Sequence, residues 1–158
     1  MLRIKPLKQS TGYTCGPTCV AMLGKFYDLR FSWAEILRAC NIDRNGMSNE
    51  DLVKALRKLG FLVRAKSRNT WTELKKNYTR GLPMVVAWML HGYIGHFSIV
   101  VEVGKNHIVL ADPDNGKHRR MSKEVFMRLW FDYDGVFFPK RARDISLRWA
   151  LSIHGIRR

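Results

Sequence analysis

Cys15-Gly16-Pro17-Thr18-Cys19-Val20-Ala21-Met22-Leu23 is the stretch on which the reading of this chain turns. It is apolar and uninterrupted, and it predicts a buried helix running to about Tyr27 with a cysteine in its first turn. A helix start carries partial positive charge and unpaired N–H groups, both of which favour a thiolate over a thiol. Cys15 is therefore a candidate nucleophile, and a hydrolase is the leading functional idea. Cys19 and Cys40 read as inert core residues.

Outward from this helix, the first third of the chain stays helical. Ser32 and Glu35 have capping-box spacing and open a short helix toward Cys40, and Ser48 caps another that carries Leu52, Ala55, Leu56 and Leu59 on one face, with Gly60 as its stop. The pattern then changes. Strands are expected over Phe61–Lys66, Met84–Trp88, His96–Val103, His107–Asp112 and Gly135–Phe138, with capped helices at Thr70–Tyr78 and Ser122–Trp130. The fold class is α+β, with helices first and an antiparallel sheet after them. Residues 1–139 form the domain, and 140–158 form a basic amphipathic C-terminal tail read as a helix packed on it with a solvated basic face.

Composition excludes several classes. A chain of 158 residues with 46% apolar content can bury one substantial core. Its longest apolar run, Leu82–Leu90, contains Pro83 and is too short to span a bilayer, and no signal peptide is visible, so a cytoplasmic protein is expected. Three cysteines, an odd number, imply no disulfide framework and fit a reducing compartment. Lys and Arg number 28 against 13 Asp and Glu, a net charge of +15, which points to an anionic partner through the basic surface and tail. No nucleic-acid-binding signature accompanies that charge. A zinc site from Cys15, Cys19, Cys40 and a histidine fits poorly, because a second Cys pair is absent. No cofactor is called for.

A cysteine nucleophile needs a base and a group that orients the base, and the sheet offers His96 and Asp112. If Gly104-Lys105-Asn106 turns a hairpin with Val103 facing His107, His96 lies opposite residue 114, or 112 after a slip of two. Gln9 completes the set: its side-chain N–H, with the Cys15 backbone N–H, could donate to a developing oxyanion. His91, His107, His118 and His154 lack a comparably placed carboxylate and read as surface or structural residues.

Gln9, Cys15–Cys19, Gly46-Met47-Ser48, Leu56–Phe61, Pro83–Ala87, His96–Val101 and Ala111-Asp112-Pro113, in that order, resemble the bacteriocin-processing peptidases, papain-like cysteine peptidases that cut double-glycine leader peptides. The resemblance runs from about Ile4 to Pro139. It implies a papain-like fold with a helical lobe and a sheet lobe, a peptide or protein substrate, Cys15 as nucleophile, His96 as base, Asp112 as orienting residue and Gln9 as oxyanion donor. Many such peptidases are the N-terminal domain of an ATP-driven exporter, whereas this sequence shows no transmembrane helix and no phosphate-binding glycine loop. The alternatives are a catalytically silent leader-peptide-binding or basic nucleic-acid-associated module, and an amide hydrolase or acyl transferase using the same thioester chemistry.

Overall fold

Serine and threonine hydroxyls set most of the helix starts. In the computed structural model, which describes residues 1–134, 136 and 138–158, the first third folds as α1 (Cys15–Phe26), α2 (Trp33–Cys40) and α3 (Asn49–Lys58). Ser32 accepts from the Glu35 N–H at 3.2 Å while Glu35 accepts from the Ser32 N–H at 2.7 Å, the reciprocal box expected from their spacing. Ser48 caps α3 through the Asp51 N–H, and Thr70 and Glu73 form a second box at α4 (Trp71–Thr79). Ser122 caps α5 (Lys123–Leu129).

The strands are β1 (Phe61–Lys66), β2 (Met84–Leu90), β3 (Ile94–Val103), β4 (His107–Asp112), β5 (Lys117–Ser122), β6 (Phe131–Asp132), β7 (Ser146–Leu147) and β8 (Ala150–Ile156). Six of them form one sheet in the order β1-β8-β2-β3-β4-β5, antiparallel throughout, while β6 and β7 pair separately. Period-2 alternation divides the sheet's side chains between two cores. Val85, Ala87, Phe97, Ile99, Leu151 and Ile153 pack under α1, α2 and α3, and Met84, Val86, Trp88, Val100 and Leu110 pack under Trp71 and Leu74 of α4 and Phe126 of α5. β2 is buried along its whole length because both of its faces are covered.

The C-terminal segment differs from its expected form. Instead of an appended helix, residues 142–144 make a single 3-10 turn, and β8 inserts between β1 and β2. Ile145, Leu147, Trp149, Leu151 and Ile153 recur every second residue, the spacing of a strand, and Trp149, Leu151 and Ile153 lie in the helix-covered core. The high charge around them resembles a solvated helix only if that spacing is ignored. β5, with its Lys117-His118-Arg119-Arg120 run, is a further strand that the apolar pattern did not announce. Of the strand expected over Gly135–Phe138, Gly135 and Phe137 lie outside the described residues, and Val136 and Phe138 belong to no strand.

Candidate active site

Helix α1 presents Cys15 at its first position. Thr14 precedes it with no side-chain cap on the helix: its hydroxyl instead donates to the Thr11 carbonyl at 3.2 Å and accepts the Thr11 N–H at 3.1 Å. No acidic residue occupies the first turn. The partial positive charge there is thus left unneutralised.

The β3–β4 hairpin supplies the other two groups. Ile99 pairs with Ala111, so Ser98 lies across from Asp112 and His96 sits on the diagonal. No slip of two residues is needed. Beyond Val100 a bulge shifts the register, so that Val103 faces Ile108 rather than His107, and the Val101 carbonyl it frees accepts the Leu2 N–H at 2.8 Å. Across the diagonal, His96 Nε2 and Asp112 Oδ1 are 2.6 Å apart, both buried. Ser98 also donates to Asp112 Oδ1, at 3.3 Å, and takes the Trp88 indole N–H at 3.0 Å.

Burial alone would pull the His96 pKa down, but the hydrogen bond it donates to Asp112, the hydrogen bond and charge of Cys15, and the charge of Asp112 outweigh it and raise it to about 9. For Asp112 burial pushes up; His96, Arg119 and the Asp114 N–H together bring it to about 2. With Nε2 committed to the carboxylate, Nδ1 is the ring atom left for the thiol. Near neutral pH the carboxylate is ionised and the imidazole is held protonated, which is the partner a thiolate needs.

The two other cysteines lie in a different environment. Cys19, one turn along α1, is fully buried, and its pKa is driven well above the ordinary value by burial and then by the nearby Cys15, Asp112 and Cys40. Cys40 is pushed up to about 12 by burial. Gln9 lies before α1, its backbone N–H donating to Pro113 beyond Asp112 at 2.8 Å. Its Nε2 donates to the Thr11 carbonyl at 2.8 Å, leaving the second amide hydrogen uncommitted, while its buried Oε1 has no partner among the described residues.

Arg119 of β5 is a member of this site that the sequence reading missed. Its Nε donates to Asp112 Oδ2 at 2.5 Å, its other arm reaches Asp114 at 3.0 Å, and its guanidinium lies 5.8 Å from the Trp88 ring centre. His107 also differs from expectation, since it has a carboxylate partner, Glu102, at 2.6 Å. His118 approaches the Ile4 carbonyl at 3.2 Å and His154 the Ser152 hydroxyl at 2.9 Å.

Comparison with known proteins bears on the family and the fold. The model of the Peptidase C39 family matches residues 3–141. An uncharacterized protein of Methanothermobacter marburgensis is 27% identical over 124 residues, 78% of this chain and 81% of its own. The sublancin-168-processing and transport ATP-binding protein SunT of Bacillus subtilis is 27% identical over 146 residues, which cover 87% of this chain but only 20% of that transporter. The crystal structure of a double glycine motif protease from a PCAT transporter, in complex with a leader peptide, shares the fold, with a TM-score of 0.71 at 18% identity over 96% of this chain and 92% of the other.

Proposed function

Because the chain belongs to the Peptidase C39 family, whose fold and cysteine peptidase class it shares, we propose that it hydrolyses a peptide bond following Gly-Gly or another small residue through a thioester on Cys15. The observation that carries this is the buried His96–Asp112 pair acting on Cys15 at an uncapped helix start. The Cys15 thiolate attacks the scissile carbonyl carbon. The oxyanion that forms is met by the Cys15 N–H and the uncommitted hydrogen of Gln9 Nε2. His96 passes its proton to the leaving amine, then takes one from the water that cleaves the thioester, restoring thiolate and imidazolium. Asp112 holds the ring throughout, and Arg119 holds Asp112.

Specificity for a small residue has a steric support. Met47 packs against Gly16, the residue after Cys15, and we infer that it narrows the approach to the nucleophile. A glycine pair passes such a constriction without side-chain clash. The relative from Methanothermobacter is matched over 81% of its own length, which leaves no room for a transporter in that protein, and stand-alone action of this chain is proposed by analogy with it. Among the described residues no helix is long and apolar enough to cross a membrane. A thiolate nucleophile suits a reducing, cytoplasmic setting.

The anionic partner expected from the charge gains no support: Arg64 and Lys66 on β1, and Lys117, Arg119 and Arg120 on β5, lie on the sheet's two edge strands, where charge blunts edge-to-edge pairing. The deciding measurement is kcat/KM for matched peptides ending in Gly-Gly, Gly-Ala and Gly-Leu before the cut, alongside mass-spectrometric mapping of a thiol-directed electrophile. A steep fall across that series with labelling at Cys15 supports the reading. A flat series removes the leader-peptidase specificity, and equal labelling of all three cysteines removes the nucleophile.

A further inference from the structure

Two glycines flank the reactive pair, Gly16 just after Cys15 and Gly95 just before His96. A side chain from elsewhere takes the space beside each. A Cβ on Gly16 would lie 2.4 Å from Met47 Sδ, and one on Gly95 would lie 2.6 Å from Asp132 Oδ1. Only glycine lets these neighbours lie so near the backbone. Met47 and Asp132 are remote in sequence, but their segments are tied together: the Asn49 N–H donates to Asp134 Oδ1 at 2.8 Å. The result is one wall alongside Cys15 and His96, carrying a thioether over one glycine and a carboxylate over the other.

Asp134 is occupied as the brace of that wall. Asp132 is not fully used. Its Oδ1 accepts the Tyr133 N–H at 2.8 Å, and among the described residues Oδ2 has no hydrogen-bond partner and the carboxylate no Lys or Arg ion pair. Such a carboxylate is conspicuous in a chain where basic residues outnumber acids 28 to 13. The charged groups acting on it are Asp134 in its own segment and His96 on β3. Burial, offset by the Tyr133 N–H, raises its pKa to about 6, so it is ionised at neutral pH. A partly desolvated carboxylate with an open oxygen is a strong acceptor for a cationic donor.

We propose that Asp132 is a specificity-determining residue that receives a cationic side chain of the substrate held beside the scissile bond. The inference rests on the peptidase reading and adds to it a substrate class: a small residue at the cut with Lys or Arg close by. Holding Tyr133 uses one carboxylate oxygen; recognising a cation uses the other.

The test uses the full chain, reduced, as wild type and Asp132→Asn. Cys15 is modified at pH 8 by a methanethiosulfonate bearing a trimethylammonium group and, separately, by its uncharged methyl counterpart, with mass spectrometry confirming the site. The ratio of the two rates cancels any change in thiolate content, since both reagents report the same nucleophile. Asp132→Asn should lower that ratio about three- to tenfold, the scale of one charge roughly 6 Å away in a medium between protein and water. An unchanged ratio overturns the proposal. In a second arm, Gly-Gly peptides carry Lys or its uncharged isostere norleucine at each of the three positions on either side of the cut. One position should favour Lys at least fivefold in kcat/KM, with the preference falling toward unity in Asp132→Asn. A flat scan in the wild type overturns the proposal. If no peptide is cut, it is the peptidase reading that fails, and the reagent ratio still decides on Asp132.

Discussion

Helix α1 and the other four α-helices begin in different ways. Ser32, Ser48, Thr70 and Ser122 each give a hydroxyl oxygen to a first-turn N–H, and Glu35, Glu50, Asp51, Glu73 and Glu124 add negative charge in the first turns of all four. Thr14, chemically able to do the same, turns its hydroxyl back to Thr11 and leaves the start of α1 open. A capped start stabilises the helix by satisfying orphan donors, whereas an open one keeps those donors and their positive charge for something else. In the proposed mechanism, at α1 that something is the Cys15 sulfur and the oxyanion formed on it. Local stability was forgone at the one helix start where unpaired polarity has chemical use.

The sharpest break of this contrast removes the nucleophile. Cys15→Ala should reduce peptide hydrolysis to background, a loss on the order of 10⁴-fold or more, and His96→Ala should cost nearly as much because the two act as a unit. Single-turnover assays of both against wild type check this. Gln9→Ala should cost about 10² to 10³ in kcat with little change in KM, the scale for one oxyanion donor. A loss confined to KM would move Gln9 from oxyanion binding to ground-state binding.

Asp112→Asn acts on the imidazole rather than on the helix. His96 stands at about 9 and Asp112 at about 2, so in wild type the ion pair spans the neutral range. Without the carboxylate, only the hydrogen bond and charge of Cys15 still oppose burial, so the His96 pKa falls; at pH 8 the imidazolium share, and turnover with it, should drop about two- to tenfold. Stability follows the same groups. The raised His96 value contributes stability fully below 6.5 that is lost as pH rises through about 9. The lowered Asp112 value contributes above 3.8 and is lost as pH falls through about 2. Melting temperature against pH should show both slopes in wild type, while Asp112→Asn should lose the acid slope of this pair and flatten the alkaline one.

How much of this was readable in the sequence depends on how local each signal is. The cysteine helix, the Ser32 and Thr70 boxes and the β3–β4 hairpin are written in consecutive residues, and their expected limits agree with the structure to within a few positions. The His96–Asp112 contact was legible because shared parity and a short hairpin confine it. β8 was not: its place between β1 and β2 is a non-local pairing, and its strand spacing is masked by the surrounding Arg and Lys. β5 has too few apolar residues to alternate visibly, so the Arg119 clamp on Asp112 was hidden with it. Asp132, in an Asp-Tyr-Asp-Gly run, looks like turn composition until Gly95 is seen to lie beside it.

Closing the open helix end tests the contrast without touching the nucleophile. Thr14→Asp places a carboxylate where it can accept a first-turn N–H, which favours the helix but sets a negative charge beside the thiolate. Alkylation of Cys15 by iodoacetamide at pH 6.5 should slow about tenfold, the rate equivalent of roughly 1.4 kcal/mol at a helix terminus. Thr14→Asn caps without charge and separates the two contributions. If Thr14→Asp reacts as fast as wild type, the open start has no electrostatic role.

The smallest expected effect lies at the opposite pole of the comparison. Ser32→Ala removes the cap of α2 and half of its reciprocal box, at an exposed site remote in sequence from Cys15. Loss of a serine cap costs about 1 kcal/mol, which for a chain of this length lowers the melting temperature by about 2–4 °C. Peptide hydrolysis below the melting range should stay within twofold of wild type, because the donors uncovered face water and no reacting group. Paired measurement of melting temperature and kcat/KM for Ser32→Ala and Thr14→Asp then puts the two kinds of helix start on the same axes. The first should lose stability and keep rate; the second should keep stability and lose rate. If Ser32→Ala lost rate in proportion to stability, the helix starts would be energetically coupled through the α1–α2 packing, and the assignment of separate roles to capped and open ends would fall.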